Sequence, residues 1–343
     1  MLRTIRRQFY SAALTAMFAT PLALFIASPV QASNTLTVYT YDSFTSEWGP
    51  GPVIKKAFEE TCECTLEFVA VDSSAGILNR VQLEGENTKA DVVLGLDYNL
   101  MALAEDTGML AESGANLEKV SLPVDWESTV FVPYDYGHFA FIYNTELMDS
   151  PPTSLDELVN APDDLKIIIQ DPRTSTPGLG LMLWVKSVYG DDAAAAWKKL
   201  QPKILTVTKG WSEAYFSLFM NGEAPMVLSY DTSPGYHMAV DKTEQYQAAA
   251  FDEGHYLQIE VAAMLKSTSN QELAQSFLQF LISEPAQSVL PLTNVMYPSI
   301  DIGDALPAEF SKLIKPSVSL LLPTETVRDN RKDWIDEWLE SAN

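Results

Sequence analysis

Residues 170–180 read QDPRTSTPGLG and residues 226–236 read MVLSYDTSPGY. In both, an apolar run gives way to hydroxyl residues, then Pro, then Gly. Thr176 at a helix cap with Pro177 behind it is a favoured helix opening, because Pro has no N–H to be orphaned there. Free N–H groups at such an end, with the helix dipole, attract phosphate or carboxylate. Gly178 and Gly180 are expected to keep that backbone bare. Thr232-Ser233-Pro234-Gly235 repeats the device of Ser175-Thr176-Pro177-Gly178, and VYTYDSF offers a third polar strand end at Tyr41, Asp42 and Ser43. Each alone reads as an ordinary cap or turn. Three of them at the carboxyl ends of strands fall where open α/β sheets bind ligands.

Aromatic residues gather at the same places. Trp48 follows the first strand-like run, Trp211 follows TVTKG, and Tyr230 and Tyr236 flank the second hydroxyl pair. A ring face over a cation contributes roughly 0.5–2 kcal/mol. Several such contacts with an anion nest suffice for nanomolar binding, about −12 kcal/mol. Enzymatic constellations are scarce. His138, His237 and His255 are the only histidines, and no HExxH, G-x-S-x-G, P-loop or G-x-G-x-x-G occurs. Asp42, Asp97 and Asp231 could ligate a metal, but acidic strand ends are ordinarily solvated. A binding protein without cofactor or metal is expected, not an enzyme.

The elements that must position these groups alternate. Residues 35–41, 65–71 and 90–96 read as strands, with helices at 51–60, 75–84 and 99–107 between and after them. A second series begins at Ser154, with strands at 165–170, 204–208 and 226–230 and helices at 178–189, 193–200 and 212–220. Such βα alternation implies a mostly parallel sheet flanked by helices. Two long extended runs, VFVPYDYGHFAFIYN (130–144) and YLQIEVAAML (256–265), cross between the series. The expected organisation is an α/β clamshell: a first lobe over 33–135, a second over 136–257, and a return over 258–343 that includes a C-terminal helix. Further helices are expected at 271–282 and 284–289.

Residues 1–32 read as a secretory signal peptide: Arg3, Arg6 and Arg7, then an apolar run, then Val-Gln-Ala ending at Ala32. No cysteine adjoins that cut, so a lipid anchor is not expected, and the mature chain would be periplasmic. The formal charge of −24 becomes −27 once those three arginines are removed. Nucleic acid and anionic membrane are poor partners for such a surface. The two cysteines, Cys62 and Cys64, lie one residue apart in TCECTL. In an oxidising compartment they read first as a disulfide. A redox or metal pair is the other reading, without a neighbouring His or the two-residue spacer to favour it.

Taken together, TLTVYTYDSF, WGPGP, ADVVLGLD, QDPRTSTPGLGL, VTKGWSEAY, VLSY-TSP-Y and EGHYLQ-EVAA resemble the periplasmic thiamine-binding proteins of bacterial ABC importers. The resemblance runs from about residue 35 to residue 340, and the Cys62–Cys64 spacing fits it. It implies a type II periplasmic binding fold, capture of thiamine or its mono- and diphosphate by lobe closure, and docking on a membrane permease. The contacts it implies fall on Tyr41, Asp42, Trp48, Ser175, Thr176, Trp211, Tyr230, Asp231, Thr232, Ser233 and Tyr236. Asp72 and Ser73 align with a further pair, although VDSSAG departs there from the family's pattern. Asp231 stands where the family has Thr, and Val295 where it has Trp. The first departure is expected to place a negative charge beside the site, suiting a thiazolium and penalising phosphate esters. The second is expected to remove an aromatic wall. Two rival readings keep the architecture: another cargo, such as ferric ion or a polyamine, or a secreted thiaminase-like enzyme. Iron would call for adjacent tyrosines, whereas Tyr230 and Tyr236 are six apart. A thiaminase would call for a free nucleophilic Cys.

Overall fold

In the computed structural model residues 34–341 are described. The expected signal peptide lies outside them. The described residues form one compact unit. Its strands, in chain order, are β1 Thr35–Tyr41, β2 Thr65–Val71, β3 Val92–Asp97, β4 Phe131–Asn144, β5 Ile167–Gln170, β6 Ile204–Thr208, β7 Met226–Tyr230, β8 Tyr246–Ala248, β9 His255–Met264, β10 Tyr297–Pro298 and β11 Ser319–Leu320. They pair in the order β2-β1-β3-β9-β4-β7-β5-β6, with β8 and β10 on β4 and β11 on β9.

The β-branched and apolar runs made this outcome predictable for the two parallel sets. β1 lies parallel between β2 and β3, and β5 lies parallel between β6 and β7. The two expected crossings are antiparallel neighbours. Residues 131–138 of β4 pair with β9, and from Phe139 onward β4 pairs with β7. One strand thus serves both parallel sets, and the handover falls between His138 and Phe139.

Each half has its own core. Phe44, Phe58, Tyr134 and Phe277 fill one face of the first half, while Phe141, Trp184 and Trp197 anchor the second. The C-terminal helix, Thr324–Ser341, touches both halves. Arg328 meets Asp106 at 3.4 Å, and Trp338 packs edge-on to Trp197 with centroids 6.5 Å apart. Lys186 pairs with Glu337 at 2.9 Å near the same end.

Three local outcomes differ from expectation. The helix expected from 178 opens at Thr176, so Ser175 is the cap and Pro177 lies within the first turn. Residues 213–219 wind as a π-helix, a form that inserts an extra residue per turn and gathers at functional sites. Gly178 and Gly180 serve packing: a Cβ would come within 2.4 Å of the Gln170 carbonyl at the first and within 1.9 Å of the Phe139 ring at the second. Cys62 and Cys64 are joined by a disulfide around Glu63, whose φ is 50°. Among the described residues no helix is long and apolar enough to cross a membrane.

Candidate functional site

The carboxyl ends of β1, β2, β5, β6 and β7 converge on a cleft of about 380 Å³, and an adjoining aromatic compartment of about 380 Å³ shares Trp48, Trp211 and Val295 with it. Nine of the expected residues line the main cleft: Tyr41, Asp42 and Trp48 after β1; Asp72 and Ser73 after β2; Ser175 and Thr176 after β5; Trp211 after β6; and Tyr230 at the end of β7. Ser233 and Tyr236 line the adjoining compartment.

The two hydroxyl pairs do not cap their helices with their side chains. They reach elsewhere. Thr176 Oγ1 lies 3.1 Å from Ser74 Oγ, and Thr232 Oγ1 donates to the Val295 carbonyl at 2.5 Å. Both bonds join one half of the sheet to the other. Lys209 Nζ meets Asp72 at 2.5 Å, and the Trp48 ring meets Phe216 edge-on at 6.0 Å between centroids. Ser73 is itself a helix cap, accepting from Gly76 N.

Trp211 is fixed on two sides. Its indole N–H donates to Ser229 Oγ at 2.7 Å, and Ser229 in turn bonds Ser233 at 2.9 Å. One ring face stacks on Tyr215, with centroids 5.1 Å apart and planes 21° off parallel. A ring so held costs little further order when a flat ligand meets its other face.

Asp231 and Thr232 are not on the wall. Asp231 is fully buried, its carboxylate taking the His138 backbone N–H at 3.0 Å and facing His138 Nδ1 at 3.0 Å. The far ring nitrogen is held by Ser319 Oγ at 2.8 Å. The expected charge beside the ligand is therefore spent inside the protein, because His138 offers a buried partner that a solvated strand end would lack. Val295 does stand at the junction of both compartments, with φ at 56°.

The floor holds what the sequence reading missed. Gln258 and Glu260 of β9 and Asn294 line the cleft. Glu260 Oε2 accepts from Tyr41 at 2.8 Å, Tyr134 at 2.8 Å and Asn294 at 3.0 Å. Asn294 also donates to Asp135 at 2.6 Å. Burial, then the Glu260 charge, pushes the Asp135 carboxyl well up. Burial raises Glu260 as well, against the Tyr41, Tyr134, Asn294 and Asp135 hydrogen bonds that pull it back. Tyr41 is pushed well up, by burial first and Glu260 second. A signal for this floor existed: Gln258 and Glu260 interrupt an otherwise apolar run two residues apart, which puts both on one strand face. Among the described residues, no cluster of His, Cys, Asp and Glu is arranged to hold a metal ion. Both cysteines are in the disulfide, and neither lines the cleft.

The description "Bacterial extracellular solute-binding protein" fits residues 49–288 at the level of a family model. The chain is 53% identical to the "Thiamine-binding periplasmic protein" of Escherichia coli K12, over 94% of this chain and 98% of that one. A solved "Periplasmic thiamin binding protein" superposes with a TM-score of 0.87 at 52% identity, covering 90% of this chain and 96% of the other. A ferric binding protein from Campylobacter jejuni superposes at 0.74 with 18% identity, covering 89% of this chain and 99% of its own, a likeness of fold alone.

Proposed function

The chain belongs to the bacterial extracellular solute-binding proteins, among the thiamine-binding periplasmic proteins, and from that premise we propose that it captures thiamine in the periplasm for an ABC importer. The observation that carries this is identity above one half with a thiamine-binding relative across nearly the whole of both chains. The site agrees in kind. Trp48, Trp211 and Tyr230 offer rings to a flat cation, and Glu260 sets a carboxyl group on the floor. The protein is a carrier with no chemistry to perform on its cargo.

Capture is proposed to occur by closure of the two lobes, 33–135 with 258–343 against 136–257, about β4 and β9. Thiamine phosphates are proposed as further cargo, their esters meeting the helix opening at Ser175 and Thr176. A membrane permease is the proposed partner of the closed form, and residues 1–32 are the proposed export signal. Calorimetric titration with thiamine tests the reading. Binding in the nanomolar range with one site is expected; no heat and no tryptophan quenching at micromolar thiamine would refute it. Mass spectrometry of ligand released from the purified protein separates thiamine from its phosphates.

A further inference from the structure

The polar groups of the cleft floor are out of balance. Asp135 is the register partner of Glu260 across β4 and β9, and Gln258 lies two residues before Glu260 on the same face. Glu260 Oε2 is saturated by Tyr41, Tyr134 and Asn294. Its other oxygen, Oε1, has only a long 3.3 Å contact from Gln258 Nε2. The neighbouring buried amide oxygen, Gln258 Oε1, lacks any partner. Gln258 is 1% exposed and Glu260 7% exposed, yet both line the cleft. A buried acceptor left unpaired is costly. The floor is thus rich in acceptors and short of donors.

We propose that Glu260, through Oε1 and with Gln258 beside it, is the specificity-determining acceptor of the cleft, taking a hydrogen bond from an exocyclic amino group on a heteroaromatic ring of the ligand. The inference rests on thiamine as cargo, whose aminopyrimidine carries such a group. The thiazolium ring would satisfy the charge but has no N–H to fill the empty acceptors. Asp135 is a positioning residue: linked through Asn294, it holds the Glu260 carboxyl in its orientation. Tyr41 and Tyr134 hold the other oxygen, so the carboxylate cannot turn away.

The test uses the full mature protein and three probes. Oxythiamine replaces the amino group with a carbonyl, and pyrithiamine keeps the amino group but replaces the thiazolium with a pyridinium. By calorimetry, the wild type should bind thiamine at least about tenfold more tightly than oxythiamine, with pyrithiamine close to thiamine. Glu260→Gln should close most of that gap, since an amide can donate to the carbonyl. Equal affinity of the wild type for thiamine and oxythiamine would overturn the proposal, as would a Glu260→Gln protein that weakens both ligands by one common factor. Should that variant not fold, Glu260→Asp keeps the charge and shortens the reach; an undiminished gap there also overturns it. Failure of thiamine to bind the wild type at all would instead sink the assignment of the cargo.

Discussion

Trp211 shows how a single side chain can be prepared for a ligand before one arrives. Its N–H is committed to Ser229 and one face to Tyr215, which leaves a fixed ring plane toward the cleft. Trp211→Ala should weaken thiamine binding about tenfold or more, a loss of about 1.4 kcal/mol, by calorimetry. An unchanged titration would mean that the ring does not stack on the cargo. Asp97 illustrates the opposite condition, a carboxyl whose burial outweighs its hydrogen bonds. Burial raises it to about 7, against the pull of the Asn99 N–H bonds and with a further push from Glu260. Between the ordinary carboxyl range and that value the folded chain keeps a proton that the unfolded chain has lost, so this group makes stability fall as pH rises. Asp97→Asn should therefore stabilise more at about pH 8 than at about pH 4, read from urea midpoints. A shift equal at both pH values would show that Asp97 titrates normally in the folded state.

At the scale of elements, the loop after Thr293 carries the one positive-φ residue in the site. Val295 is β-branched and left-handed, a conformation that costs roughly 1–3 kcal/mol for such a residue. The neighbouring bonds impose it: Asn294 is tied to Asp135 and Glu260, and the Val295 carbonyl to Thr232. Val295→Gly should raise stability by about 1 kcal/mol in urea unfolding, after the entropy that Gly adds to the unfolded chain. A lowered midpoint would mean that the valine side chain contributes more by packing than its backbone costs. The elements themselves were legible because period and punctuation are local. β1, β2 and β6 lie where their β-branched runs end, and both crossings are single continuous strands. Two of the three expected polar strand ends, at Tyr41–Ser43 and at Ser175-Thr176, line one cleft, while Ser233 of the third lines the adjoining compartment. The burial of Asp231 was not legible, since its partner His138 is 93 residues away. Glu260 was overlooked for a similar reason: a carboxylate in an apolar strand gains meaning only beside Tyr41, Tyr134 and Asp135, which lie far from it in the chain.

The whole molecule is an anion, formally −24 over the full sequence. That field raises the encounter rate of a cationic solute and fades with salt, since exposed charges are screened beyond about 8 Å at physiological ionic strength. The terminal helix touches Asp106 in one half and Trp197 in the other, so it spans the line about which the halves would open. Across the mouth, Thr176 with Ser74, Lys209 with Asp72, Thr232 with Val295 and Trp48 with Phe216 already link the two sides. None of these links needs a ligand atom. A solute held behind them has a residence time set partly by the protein's own opening and only partly by its own contacts. Lys209→Ala removes the most exposed link. It should hasten thiamine release up to about fivefold in stopped-flow displacement while leaving the association rate nearly unchanged. Were association alone to change, Lys209 would be steering the solute and not latching the door. The carrier would then let go at a pace written into its rim, one that a docking permease could quicken without touching the cargo.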